Sequence, residues 1–232
     1  MNTSSLLLLT ITQLLRLAQS FMSTFPNHPQ TSLHARPEAI SNAVHKTILT
    51  RRTINNFEPT LPPNYETALQ KAIEAGIYAP NHKRTEPWRF YLLGPEAISK
   101  VCQLNADIIS ASKGFEAGQK KYKRWMDIPG WLVVTCTISE EDMNNPTSAA
   151  REDYAACCCA VQNICLSLKA QGIGTKWTTG AVNFDERFAN AVGFDYGREY
   201  TVGTVWFGKA VGCEPMAPGK KFEVHDVLKK VD

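Results

Sequence analysis

The stretch Ala79-Pro80-Asn81-His82-Lys83-Arg84-Thr85-Glu86-Pro87-Trp88-Arg89-Phe90 constrains this chain more than any other. It follows an apolar-periodic run and precedes the strand-like Phe90–Leu93. Pro80 ends the preceding helix, because the residue before a proline is pushed out of the helical region. By the same rule Pro87 should hold Glu86 extended just ahead of the strand. The pattern is helix, rigid polar loop, strand. Such a loop is either a binding element or a plain connector with Trp88 as a core anchor.

Composition narrows the functional classes. The chain has 232 residues, enough for one domain or one domain plus an appendage. Its formal net charge is only +3, and the run Lys120-Lys121-Tyr122-Lys123-Arg124 reads as a solvated helix face, so no nucleic-acid partner is expected. The seven cysteines include no pair with redox or zinc spacing. Cys157-Cys158-Cys159 and Cys165 fall in a helical run whose side chains point around the axis, so they cannot converge on one metal. They read as small buried hydrophobes in a reducing compartment, and no metal is expected.

Residues 1–44 stand apart. Met1 to Pro37 contains no Asp or Glu, and an apolar run from Leu6 reaches Ala18 with polar interruptions. The run is too short for a bilayer span, so no stable membrane insertion is expected. It suits an organelle transit peptide, with a secretory signal, a disordered extension or a start at Met22 as alternatives. The expected location is intracellular: mitochondrial or another organelle if this is a transit peptide, otherwise cytoplasmic. Residues 45–232 form the expected domain.

Along that domain, residues 45–57 read as a short helix. It runs into Arg51-Arg52-Thr53, the donor types a phosphate needs. Asn64 is a candidate N-cap for a helix whose Leu69, Ile73 and Ile77 form a core stripe. Helix is expected from Pro95 to about Trp125, weakened at Gly114 and Gly118. Trp131–Ile138 is the clearest strand, apolar enough to be central. Pro146 should open the longest helix, which runs to about Gln171 and is capped by Gly172. It is apolar nearly all round from Ala155 to Leu168, which suits a subunit interface. The glycines of Gly172-Ile173-Gly174 do not make a dinucleotide fingerprint, since Trp177 falls where the third glycine belongs. Asn183 should cap a short helix closed by Gly193, and Tyr200–Phe207 reads as another strand.

Taken in order, these pieces resemble the FMN-dependent nitroreductase family, and most closely its small YdjA-like branch. Arg51-Arg52-Thr53 is similar to the Arg-Arg-Ser/Thr signature, and Ala79–Lys83 with Glu86-Pro87-Trp88 to the branch's loop. Gln171–Gly174 with Trp177–Gly180 resembles its late glycine turn and Trp-x-Ser/Thr-Gly element. The likeness covers roughly residues 45–228. It implies an α+β fold with a mixed central sheet flanked by helices, working as an intertwined homodimer with FMN shared at the interface.

By position, the resemblance implies that Arg51, Arg52 and Thr53 hold the phosphate and ribityl end of FMN. His82 lies beside the flavin, and Trp177, Thr178 and Thr179 line it. Lys221, or Lys220, adds a phosphate contact. Leu168, Lys169, Ala170, Gln171, Gly172 and Ile173 correspond to the stretch for the hydride donor, NADPH or NADH. Tyr78 stands where relatives place a flavin-binding arginine and cannot supply its charge. Lys83 and Arg84 are candidates for the flavin's pyrimidine edge. No side chain is implied as catalytic, since the flavin carries the chemistry. The implied activity is reduction of nitroaromatic, quinone-like or other electron-poor small molecules. Two alternatives stand beside it. One is a reductive dehalogenase of the iodotyrosine deiodinase kind, with Glu116, Tyr122 and Lys123 in its lid. The other is a flavin-binding protein with little turnover.

Overall fold

The computed structural model describes residues 37–138, 142, 147–212, 215–217 and 219–231. Contacts divide the chain at Ala43/Val44. The acid-free segment 1–36 and Pro146 lie outside the described residues.

The fold is built around two strands, β2 (Gly130–Thr137) and β4 (Glu199–Gly208). β2 is buried along Gly130–Cys136, because its side chains are apolar on both faces and each face needs a cover. Leu132, Val134 and Cys136 enter one core with α2 (Tyr65–Ile77) and α5 (Ser148–Ala170). Trp131 and Val133 enter the other with α3 (Pro95–Lys113) and α6 (Glu186–Val192). β1 (Trp88–Leu92) and β3 (Gly174–Thr178) complete the order β1-β2-β4-β3. All three strand pairings are antiparallel. The expected α+β class holds, but the parallel element of the expected mixed sheet reduces to one bridge, Thr53 with Thr175. The reason is length: after α1 (Pro37–Thr50) only a residue or two lie alongside β3 before the chain turns away.

β4 carries a bulge. Val134 pairs with Gly203 but Thr135 pairs with Thr201, leaving Val202 unmatched. The extra residue switches the alternation, so Val202, Val205 and Phe207 all reach the α5 core while Trp206 reaches the other.

Helix packing follows small residues. A Cβ on Gly76 would meet the Ile164 side chain at 2.9 Å, so α2 lies close against α5. Asn163 Nδ2 donates to the Ala75 carbonyl at 3.1 Å, and Gln171 Nε2 to that of Ala68 at 3.2 Å. Gly172, at φ +77°, closes α5 as expected, with the Ile173 N–H on the Leu168 carbonyl at 2.9 Å.

Several local expectations change. Asn64 makes no side-chain cap, and Ile77 is 46% exposed; Ala68, Leu69, Ala72 and Gly76 form the buried stripe because the helix rolls its smallest residues onto α5. The expected helix from Pro95 breaks at Gly114 (φ +88°), giving a separate α4 (Phe115–Met126). Asn183 sits in a 3₁₀ turn, and Asp185 caps α6 through the Arg187 N–H at 2.9 Å. Cys159 is exposed, because α5 turns it away from the face that buries Cys157 and Cys165. The described cysteines are all free, and burial pushes the Cys102 thiol up to about 12. A short α7 (Val224–Val227) lies in the exposed tail.

Gly130 has no room for a side chain: a Cβ there would stand 2.6 Å from the Phe207 carbonyl oxygen. Gly130→Ala is expected to lower the unfolding free energy by about 1–3 kcal/mol in a denaturant titration. An unchanged midpoint would mean that the β2–β4 backbone yields.

Candidate functional site

Two groups of predicted residues emerge, one at each end of α5. The first follows α1. Arg51, Arg52 and Thr53 are laid along the outer edge of β3, where the Ile54 N–H donates to the Thr175 carbonyl at 3.0 Å. Ile54 is buried against Gly174, which fixes the segment. Arg52 Nη1 donates to the carbonyls of Leu49 and Arg51 at 2.7 and 2.8 Å. Its Nε is buried and has no partner. A buried guanidinium N–H without an acceptor costs free energy, and an anionic oxygen would relieve that cost. Arg51 lies near enough to Cys165 to oppose the upward push that burial gives that thiol.

Sequence reasoning missed two residues here. Lys176 Nζ donates to Asn55 Oδ1 at 2.9 Å and stands 5.2 Å from the centre of the Trp206 ring. Burial, then the charges of Arg124 and Lys121, hold Lys176 below the usual lysine range. The available signal was strand alternation, which sets Lys176 between buried Thr175 and half-exposed Trp177. Trp177, the next residue, faces the other side of β3, and its indole Nε1 donates to the Val202 carbonyl at 3.3 Å, on the bulge. A Cβ on Gly203 would collide with that nitrogen at 2.3 Å. Thr178 is half-buried and Thr179 exposed at the end of β3.

The second group is the loop. Asn81 Oδ1 accepts the Glu86 N–H at 2.8 Å, and Thr85 Oγ1 donates to Asp153 Oδ1 in the first turns of α5. His82, Lys83 and Arg84 form an exposed 3₁₀ turn. Glu86 is not extended as expected: its φ is +47°, and Lys83 and Arg84 are also positive at +56° and +53°. The side-chain bonds of Asn81 overrule the preference imposed by Pro87.

Asp153 and Cys165 stand roughly 18 Å apart along α5 at about 1.5 Å per residue. One chain therefore brings Arg51–Thr53 together with β3 but not with His82. Tyr78, 81% exposed, lies in a groove with Lys71 and Asn163 between α2 and α5. Leu168 and Ile173 are core residues, so the stretch Leu168–Ile173 offers outward only Lys169, Ala170, Gln171 and Gly172. Lys220 and Lys221 are on the exposed tail. In α4, the Tyr122 hydroxyl is 3.4 Å from that of Ser99 and its ring packs on the core, while Glu116 and Lys123 are exposed. Among the described residues no metal-binding cluster occurs, and no helix is long and apolar enough to cross a membrane.

Residues 48–209 match the nitroreductase family. The chain belongs to that family. It is 30% identical over 151 residues to the "Putative NAD(P)H nitroreductase YfhC" of Bacillus subtilis (strain 168), covering 63% of this chain and 74% of that one. YdjA of Escherichia coli (strain K12), named likewise, is 28% identical over 138 residues, covering 58% and 71%. A nitroreductase from Desulfitobacterium hafniense, solved with bound FMN, shares the fold at a TM-score of 0.62 and 19% identity, over 82% of this chain and 99% of that one.

Beneath β1, the Tyr91 hydroxyl bonds Glu199 at 2.8 and 2.9 Å. Burial first, then that bond, pushes the phenol up to about 12 from the ordinary 10 or so. The folded value exceeds the unfolded one. The neutral phenol's contribution is therefore complete below about pH 10 and lost as pH rises through about 12. Wild-type stability should fall by about 1–3 kcal/mol more than that of Tyr91→Phe over this window. Parallel pH profiles in denaturant titrations would refute the linkage.

Asp153→Ala should free the loop without unfolding the core. Amide exchange at residues 81–86 is expected to accelerate roughly 10-fold or more, since bonds to a charged acceptor are lost. Unchanged exchange would show that Asp153 does not hold the loop.

Proposed function

We propose that this chain is an FMN-dependent oxidoreductase that passes hydride from NADPH or NADH to nitroaromatic, quinone-like or other electron-poor small molecules. The observation that carries the reading is the buried, partnerless Arg52 Nε beside Arg51 and Thr53. It fits a bound phosphate, and family membership supplies the kind of molecule that bears one.

Bound FMN would supply hydride acceptance and delivery. The chain's own residues do the rest. Arg51 and Arg52 hold phosphate oxygens by charge-assisted bonds, and Thr53 adds a hydroxyl donor. Lys176 is a cation held in partly desolvated surroundings, where its field on neighbouring negative charge is strong. Trp177, fixed by the bulge, offers a flat face, with Thr178 and Thr179 beyond it. Lys221 reaches the phosphate end from the tail. Lys169, Ala170, Gln171 and Gly172 are the outward-facing part of the Leu168–Ile173 stretch read as lying beside the nicotinamide nucleotide. His82 acts as a positioning donor rather than an acid, and Tyr78 shapes the pocket without charge.

A homodimer completes the site in this reading. α5 keeps His82 away from Arg51 within one chain, so a second copy supplies the loop to the first copy's phosphate cradle. The outward face of α5 suits such an approach, because Ala155 and Cys159 are small and exposed. In this reading residues 1–44 are an extension, targeting or otherwise, ahead of the domain at 45–232.

The full-length protein should purify yellow, with flavin absorption that bleaches on anaerobic addition of NADPH or NADH. Colourless protein that FMN does not reconstitute would overturn the reading. Arg52→Ala should weaken FMN roughly 10–100-fold, the loss expected for one bond to a charged group. A full flavin complement in that variant would place the phosphate elsewhere.

A further inference from the structure

A cavity of about 580 Å³ opens between the first turns of α5, the end of β2 and the start of β4. Its volume is within the range of small-molecule sites. None of the residues assigned above to FMN or nucleotide lies in its wall.

The wall is aromatic. Tyr154 and Tyr200 meet edge-on with ring centres 5.8 Å apart, and Phe184 stands 5.9 Å from Tyr200. Tyr200 therefore braces the other two rings. Tyr154 is 39%, Tyr200 41% and Phe184 47% exposed, much open ring surface for one concavity. Ring faces carry negative quadrupole density and attract cations.

The polar groups point the same way. Glu199 is in the wall. Its carboxylate accepts two contacts from the Tyr91 hydroxyl and one from Thr135 Oγ1. A carboxylate offers about four acceptor positions, so about one is left beyond these three contacts. Tyr91 and Thr135 hold the group in place, which spares a ligand the cost of ordering it. Asp142, whose Oδ1 accepts the Thr147 N–H at 3.0 Å, adds a second carboxylate. Among the described residues of the wall, Arg151 is the one cation beside the two carboxylates.

We propose that this cavity binds a small aromatic molecule carrying a protonated amine, its ring among Tyr154, Phe184 and Tyr200 and its ammonium donating to Glu199. A neutral phenol would use the rings and leave the remaining acceptor position of Glu199 unused. An aromatic acid would set like charges against Glu199 and Asp142.

Tyramine is the probe, titrated calorimetrically into the full-length protein as purified. Saturable binding is expected, at least about tenfold tighter than para-ethylphenol or para-hydroxyphenylpropionate. Glu199→Gln should weaken tyramine about tenfold or more and leave para-ethylphenol unchanged. Phe184→Ala, at an exposed position that cannot disrupt the core, should weaken both. The proposal is overturned if tyramine does not bind, if the neutral or acidic analogue binds as well, or if both variants bind tyramine like wild type. Should Glu199→Gln not fold, Phe184→Ala and the two analogues decide alone. Flavin absorbance recorded on the same samples separates the readings: tyramine binding without flavin overturns only the FMN proposal.

Discussion

Everything in this fold depends on the β2–β4 pair being apolar on both faces. An antiparallel pair with one polar face could leave it to water. Here Leu132 and Val134 need one cover, Trp131 and Val133 another, so helices must lie on both sides. Each buried side chain of this size is worth roughly 1.5–3 kcal/mol, which makes the covering obligatory. The sheet edges are what remain for function. β3 offers its outer edge to Arg51–Thr53, and the loop leading into β1 carries His82. The bulge at Val202 ties the two levels together. It restores the alternation that the core needs, and its carbonyl holds the Trp177 indole at the edge.

α5 then acts as a ruler. Its buried face, Ala156, Cys157, Ala160, Val161, Ile164, Cys165 and Leu168, fixes it against the sheet. Asp153 near one end holds the loop, and Cys165 near the other lies close to Arg51. Because a packed helix does not bend to bring its ends together, the separation is rigid. A site using both groups needs two chains, and the helix that separates them presents a small-residue face on which a second copy could pack. The same rigidity sets the cavity of Tyr154 and Glu199 apart from the cradle, since its wall begins on the Asp153 end of α5.

Periodicity made much of this legible. β2, β4, the span of α5 and its glycine cap follow from runs of Val, Leu and Ala whose spacing only one element accommodates. Arg51-Arg52-Thr53 could be singled out as a phosphate candidate because charge and hydroxyl types are local. Lys176 and Asn55 were not, since their meeting depends on the Thr53–Thr175 bridge across distant sequence. Ile77 was misassigned for a related reason. The stripe Leu69–Ile73–Ile77 fits a helix, but only the closeness of Ile164 decides that Gly76, and not Ile77, faces inward. The aromatic cavity was equally hidden. Tyr154, Phe184 and Tyr200 come from a helix, a turn and a strand, and no pattern in one segment announces their contact.

The loop shows how tertiary bonds overrule local rules. Three side-chain-bearing residues, Lys83, Arg84 and Glu86, hold positive φ, a conformation costing about 1–3 kcal/mol each. Asn81 and Asp153 offset part of that by gathering the Glu86 amide and the Thr85 hydroxyl around their oxygens. Buried Pro87 and Trp88 fix the exit into β1, and Pro80 the entry. A plain connector of this length would relax into ordinary backbone. The bonds that prevent it keep His82, Lys83 and Arg84 together on an exposed turn, three cationic or polar side chains presented outward from a fixed base. Asp153 on α5 anchors that base through the Thr85 hydroxyl. That link ties the position of the strained turn to the position of α5 on the sheet.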